Sequence, residues 1–154
     1  MEIDGKSTVI TVQPVLDTSA YTSGDRMGAV TKLANVFNGG NAHLRSLMIL
    51  DQAKQSVAFD ILFFKASPTV ASADNAAIDV SDAEMLDKCV GKLSVAAADF
   101  MALAANSVAM YGNLFLTFKN PGSEVRDLWI LLIARGAPTF AADSLALRFG
   151  FIQD

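Results

Sequence analysis

Alternation with period two constrains this chain more than any other feature. From Gln55 to Lys65 one face would carry Val57, Phe59, Ile61 and Phe63. The other would carry Ser56, Ala58, Asp60, Leu62 and Phe64. From Leu145 to Ile152 one face reads Leu145, Leu147, Phe149 and Phe151, and the other Ala146, Arg148 and Gly150. Successive side chains of a strand point to opposite faces, so both segments read as strands with one face on a core. The run Leu128–Ala134 is apolar on both faces and too short to span a bilayer, which predicts a central strand covered on both sides. Weaker alternation predicts further strands near 8–16, 28–37, 44–50, 93–97, 106–111 and 113–119.

Turn chemistry separates these runs. Asn38-Gly-Gly-Asn41 divides two of them, and Asp51-Gln-Ala-Lys54 is short enough for a hairpin. Asn120-Pro-Gly-Ser123 sets Pro before Gly, the order of a type II turn. Gly136-Ala-Pro138 precedes the last strand. Short strands spaced about ten residues apart, with such turns between, predict an all-β sandwich of the jelly-roll kind.

One short helix is expected over 81–88. Ser81 and Glu84 have the spacing of a capping box, and Asp82 and Glu84 suit the positive end of the helix dipole. The Ala-rich stretch Val95–Ala109 offers a competing reading, a longer helix, because Ala favours helix. The chain is expected to be one domain over 1–154, with residues 1–12 as an extended N-terminal arm.

Hydrophobic residues make up 52% of the 154 and charged residues only 18%. With so few charges, part of the apolar surface is expected to be covered by a partner, as in an oligomer. The net charge of −4 and the scattered Lys and Arg argue against nucleic acid. The polar N-terminus has no signal-peptide core, and 101–118, although uncharged, holds Asn106, Ser107, Gly112 and Asn113, so no membrane span is expected. Cys89 is the only cysteine, which excludes an intrachain disulfide and fits assembly in a reducing cytoplasm.

Side chains for chemistry are sparse. His43 is the only histidine and reads as a polar residue of a loop or strand edge. Cys89 reads as a small hydrophobe rather than a nucleophile. Asp79, Asp82, Glu84 and Asp87 form the densest acidic cluster, but their spacing is not that of an EF-hand loop. Gly39-Gly40 lacks the Lys and Ser or Thr of a phosphate loop and reads as a turn. Tyr21, Tyr111 and Trp129 could line a sugar groove, although Trp129 lies in the most apolar run. No catalytic residue, metal ligand or cofactor site is expected, and the chain is not expected to be an enzyme.

Several stretches resemble a family of small structural proteins encoded near the head genes of tailed bacteriophages. They are Gln13-Pro-Val-Leu-Asp-Thr-Ser-Ala-Tyr21 with Ser23-Gly-Asp25, and Leu50-Asp51 through Asp60-Ile-Leu-Phe-Phe64. Asp74-Asn-Ala-Ala77, Val95-Ala-Ala-Ala-Asp99, Ala134-Arg-Gly-Ala-Pro-Thr139 and Leu147-Arg-Phe-Gly-Phe-Ile-Gln-Asp154 complete the set. The resemblance implies a head decoration, or capsid cement, protein. Such a protein would be assembled in the host cytoplasm, sit on the outer capsid as a homotrimer and bind the major capsid protein between capsomers. It carries over no catalytic residue. A tail, baseplate or fibre component with a carbohydrate-binding face is the alternative, and a small hydrolase or lyase on a jelly roll is the third.

Overall fold

The computed structural model describes residues 6–154. The chain forms β1 (Lys6–Val12), β2 (Arg26–Leu33), β3 (Ala42–Asp51), β4 (Phe59–Phe64), α1 (Asp82–Lys88), β5 (Cys89–Val95), β6 (Phe100–Ala102), β7 (Ser107–Tyr111), β8 (Leu116–Phe118), β9 (Leu128–Ala134) and β10 (Leu145–Gln153). The first sheet has the order β1-β10-β3-β7-β6, with β8 also on β3, and the second has the order β2-β9-β4-β5. Every pairing is antiparallel.

The pairings are nested. β4 pairs with β5, β3 with β7 and β8, β2 with β9, and β1 with β10. A single long ribbon, folded back at 65–88 and rolled up, gives this order, and it is the connectivity of a jelly roll. The expected all-β, jelly-roll-like sandwich with one short helix is therefore the observed fold.

The core lies between the sheets and follows the alternation. Phe59, Ile61 and Phe63 of β4 meet Leu145, Leu147, Phe149 and Phe151 of β10, all buried. The Phe63 ring lies 5.0 Å from Phe118 and 6.2 Å edge-on to Phe149, separations at which aromatic rings attract. β9 is covered on both faces, as expected. Its outward Leu131 and Ile133 are as buried as its inward Ile130 and Leu132. The cover is the connection 65–88, which leaves β4 beside Trp129, reaches the far edge of the sheet and returns to β5. At that edge Arg26 donates its backbone N–H to Ala76 O (2.9 Å), and Asn75 and Ile78 donate theirs to Arg26 O and Gly24 O.

A four-part network fastens this cover. The Asp74 carboxylate accepts from Tyr21 Oη (2.8 Å), Gly28 N (2.8 Å) and Asp17 N (2.9 Å). Gly28 has φ +74, and a Cβ there would lie 3.0 Å from Val15 O, so only glycine lets this backbone approach.

Helix α1 forms where expected. Ser81 caps it by accepting from Glu84 N (3.3 Å). The Glu84 carboxylate turns instead to Thr69 N (2.8 Å) and Lys88 Nζ (2.7 Å). These donors hold its carboxyl below the ordinary range.

Several expectations are corrected. Asp51–Lys54 is not a hairpin, because β3 and β4 belong to different sheets. It is a corner between them, with Lys54 and Ser56 at positive φ and Ser56 N donating to Asp51 Oδ2 (2.7 Å). Asn120–Ser123 is not a type II turn, since Gly122 does not have positive φ. Asn120 Oδ1 accepts from Gly122 N instead, and the turn closes two residues later, from Val125 N to Gly122 O. The Ala-rich stretch holds no α-helix; between the end of β5 and the start of β7 it forms a 3₁₀ turn at Ala97–Asp99 and the unforeseen β6. Of the expected arm, residues 6–12 are strand β1 along β10, and residues 1–5 lie outside the described residues. β1 stops before Pro14, which has no N–H for a ladder. No helix among the described residues is long and apolar enough to cross a membrane.

One ion pair reports on the second sheet. Arg135 Nε donates to Asp60 Oδ2 at 2.6 Å, with the Asp60 side chain 10% exposed and that of Arg135 47%. Burial pushes the Asp60 carboxyl up, but Ser94 and then the Arg135 guanidinium outweigh it, leaving the carboxyl below its ordinary 3.8. A carboxyl lowered on folding stabilises above its unfolded value and loses that contribution as pH falls through the folded one. Asp60→Asn is therefore expected to cost on the order of 1 kcal/mol at neutral pH. The difference from the parent should shrink below about pH 4, read by urea denaturation at both pH values.

Candidate interaction surface

The two sheets are finished differently on their outer faces. The second carries the 65–88 cover, and the first carries none among the described residues. Pairing register lays out the rows of that bare face. Thr11, Arg148, Met48 and Met110 form one row across β1, β10, β3 and β7. Ala146, Leu50, Val108 and Met101 form the next, ending on β6. Val9, Gly150 and Ser46 form a third.

This face is apolar and exposed. Val9 is 66% exposed, Met110 68% and Met101 56%. A shallow trough of about 320 Å³ runs across it, bounded by Val9, Met48, Met110, Tyr111 and Arg148. Gly150 floors the trough, and a Cβ there would come 2.3 Å from Ser46 Oγ. On β3, next to Ser46, the Arg45 guanidinium lies 4.2 Å above the exposed Phe115 ring, a cation–π contact. Arg148 reaches Met48 Sδ at 3.2 Å, and no carboxylate among the described residues lies within ion-pairing distance of Arg45 or Arg148. Met, aromatic and Arg side chains are the types enriched at protein interfaces.

The residues singled out in the sequence are not gathered into a reactive site. His43 lies on β3 of the first sheet and Cys89 on β5 of the second, so they form no nucleophile pair. His43 sits outward between Thr117 Oγ1 (2.9 Å at Nδ1) and Asp154 Oδ1 (3.1 Å at Nε2), tying β3 to β8 and the last residue. The acidic cluster is divided among local partners. Glu84 pairs with Lys88, Asp87 lies 3.6 Å from Lys65, and Asp79 N donates to Ser72 Oγ. Among the described residues no three His, Cys, Asp or Glu side chains gather as metal ligands. Gly39, at φ +93, belongs to a turn. Tyr21 is buried, Trp129 is half-buried under Lys32 on the second sheet, and Tyr111 borders the trough, so the three aromatics share no groove. What the sequence reading missed is the outward Met48, Met101 and Met110. Their signal was apolar residues at alternate positions in several strands whose opposite faces also had to be filled.

No protein-family model matches the chain, and no curated protein matches it. Among solved structures, the chain is similar to that of the infectious bursal disease virus Gx strain, at 10% identity and TM-score 0.44. That match covers 97% of this chain and 32% of the other, so this chain spans about a third of its length. It is also similar to Desmodium yellow mottle tymovirus, at 12% identity and TM-score 0.30, covering 99% and 82%. The coat protein of Tobacco streak virus matches at 10% identity and TM-score 0.33, covering 98% and 88%. With TM-scores below 0.5 none of these likenesses carries the fold or the function; the fold stands on strand order and register.

Proposed function

We propose that this chain is a virion structural protein that works by adhesion, as a single sandwich domain over 1–154. The observation that carries the reading is the bare apolar face of the first sheet, beside a second sheet whose outer face is covered. Contiguous exposed apolar surface marks a place where another protein sits. Jelly rolls serve in viral capsids, in lectins and in cupins, and fold alone does not choose among them. A lectin uses solvent-facing aromatics, whereas Tyr21 is buried with its hydroxyl on Asp74. A cupin gathers metal ligands, and the only histidine lies on the outer face between Thr117 and Asp154. Shell adhesion needs only surface.

The finer reading is a head decoration protein, a non-enzymatic homotrimer on the outer capsid that clamps neighbouring capsomers of the major capsid protein. Burial returns about 25 cal/mol per Å² of apolar surface, and a trimer holding three contacts together gains from effective concentration. A net charge of −4 suits a position away from packaged DNA. Light scattering on the purified protein is expected to show a trimer, and the protein is expected to bind DNA-emptied capsids saturably. A strict monomer that leaves such capsids bare sinks the proposal.

A further inference from the structure

Helix α1 lies on the outside of the cover of the second sheet and presents Leu86, 91% exposed, the most exposed of the large apolar side chains. Beside it stands the exposed Asp82, with Ala83 one turn back on the same surface, while Asp87 is paired with Lys65 at 3.6 Å. It is an apolar knob edged with negative charge. The bare face of the first sheet is its complement, an apolar trough edged by Arg148, which has no acidic partner among the described residues. The knob and the trough occupy different sheets of one molecule, so they cannot meet within one copy.

We propose that helix α1 of one copy seats Leu86 in the trough of a second copy, with Asp82 facing Arg148. This deepens the self-association part of the proposed function and rests on it. Two different patches meet, so the contact is heterologous. Repeated, it closes into a ring when the rotation between copies divides a full turn, as three copies at 120° would. The Met-lined trough adapts to an inserted side chain because Met has three rotatable bonds and a polarisable sulfur. The charged edge favours this pairing over trough-to-trough contact, which would set Arg148 against its own copy.

The test uses two variants of the full chain, Leu86→Glu to spoil the knob and Met110→Glu to spoil the trough. Both sites are exposed in the single copy, so unchanged circular dichroism and thermal melting are expected. Each variant alone is expected to associate roughly thirtyfold or more weakly than the parent, the size of a hot-spot loss, and to run as a monomer. Mixed in equal amounts they retain one intact knob and one intact trough, so the mixture is expected to form a dimer that neither makes alone. Three outcomes overturn the proposal. If the mixture stays monomeric, or Leu86→Glu associates like the parent, the copies meet through other surfaces and the adhesive reading stands without this contact. If the parent itself is a monomer, this contact falls, and the adhesive reading falls with it only where the protein also leaves DNA-emptied capsids bare.

Discussion

Phe63→Ala is expected to cost about 3–5 kcal/mol, the range for removing a buried phenylalanine. Phe63 reaches from the second sheet into the first, has no exposed surface, and lies between Phe118 at 5.0 Å and Phe149 at 6.2 Å. The loss combines the transfer of the ring with a cavity that two rigid sheets cannot close, and with two aromatic contacts of roughly 0.5–1.5 kcal/mol each already counted in that range. A domain is stable by about 5–15 kcal/mol in all, so the variant should keep between most and almost none of its stability. Urea denaturation should show a lowered midpoint with an unchanged slope. Leu62→Ala, one residue away and half-buried on the opposite face, should cost clearly less. Equal costs at the two positions would contradict the register that sends Phe63 inward.

That register was legible because the strand period is two and one face must be dry. Leu128–Ala134 shows no alternation at all, and its burial on both faces follows directly from that. The pairing of strands was not legible. Asp51–Lys54 has the composition of a chain reversal, but composition does not say whether the reversed strand joins the same sheet. The deciding contacts are Ser56 N to Asp51 Oδ2 and Ser56 Oγ to Ser107 Oγ, the second joining residues 51 apart. The interaction face was hidden for a related reason. In β7 the structure turns Ser107 and Ala109 to the core and Met110 outward, with Val108 of the outward row covered as well. Hydropathy alone would choose the other face. The inner position at Ala109 faces a core already filled from both sheets, whereas an outward methionine suits a strand whose outer face is itself a contact surface. Charge spacing located α1 and its cap, since those interactions lie within one turn. It could not place Leu86 at the surface, which depends on how the whole 65–88 cover lies.

The same distance problem concealed Asp74, whose removal gives the second large effect. Asp74→Ala leaves two donors without their acceptor, Gly28 N and Tyr21 Oη, while Asp17 N keeps the Tyr21 oxygen at 2.8 Å. Hydrogen bonds to a charged group are worth roughly 1.5–3 kcal/mol each, at the low end where water can substitute, so a loss of about 3–4 kcal/mol is expected for the two orphaned donors. The damage should be local first, with amide exchange rising over 65–81 and around Gly28 before the two-sheet core is affected. Tyr21 supplies an independent readout. Burial raises its phenol, and the hydrogen bond to Asp74 raises it further, well above the ordinary 10.0. A group raised on folding contributes stability that is complete below its unfolded value and is lost as pH climbs through the folded one. The parent should therefore weaken above about pH 10. Tyr111, the other tyrosine, is raised in the same way by burial and by its 2.6 Å bond to Asp99, and serves as the control in the same molecule. Ultraviolet titration of the folded parent should find neither phenol ionising near the ordinary value. In folded Asp74→Ala one of the two should move down toward it while the other stays high. If both stay high in a variant that has lost stability, Asp74 acts on the backbone alone and the Tyr21 hydroxyl has no part in the latch.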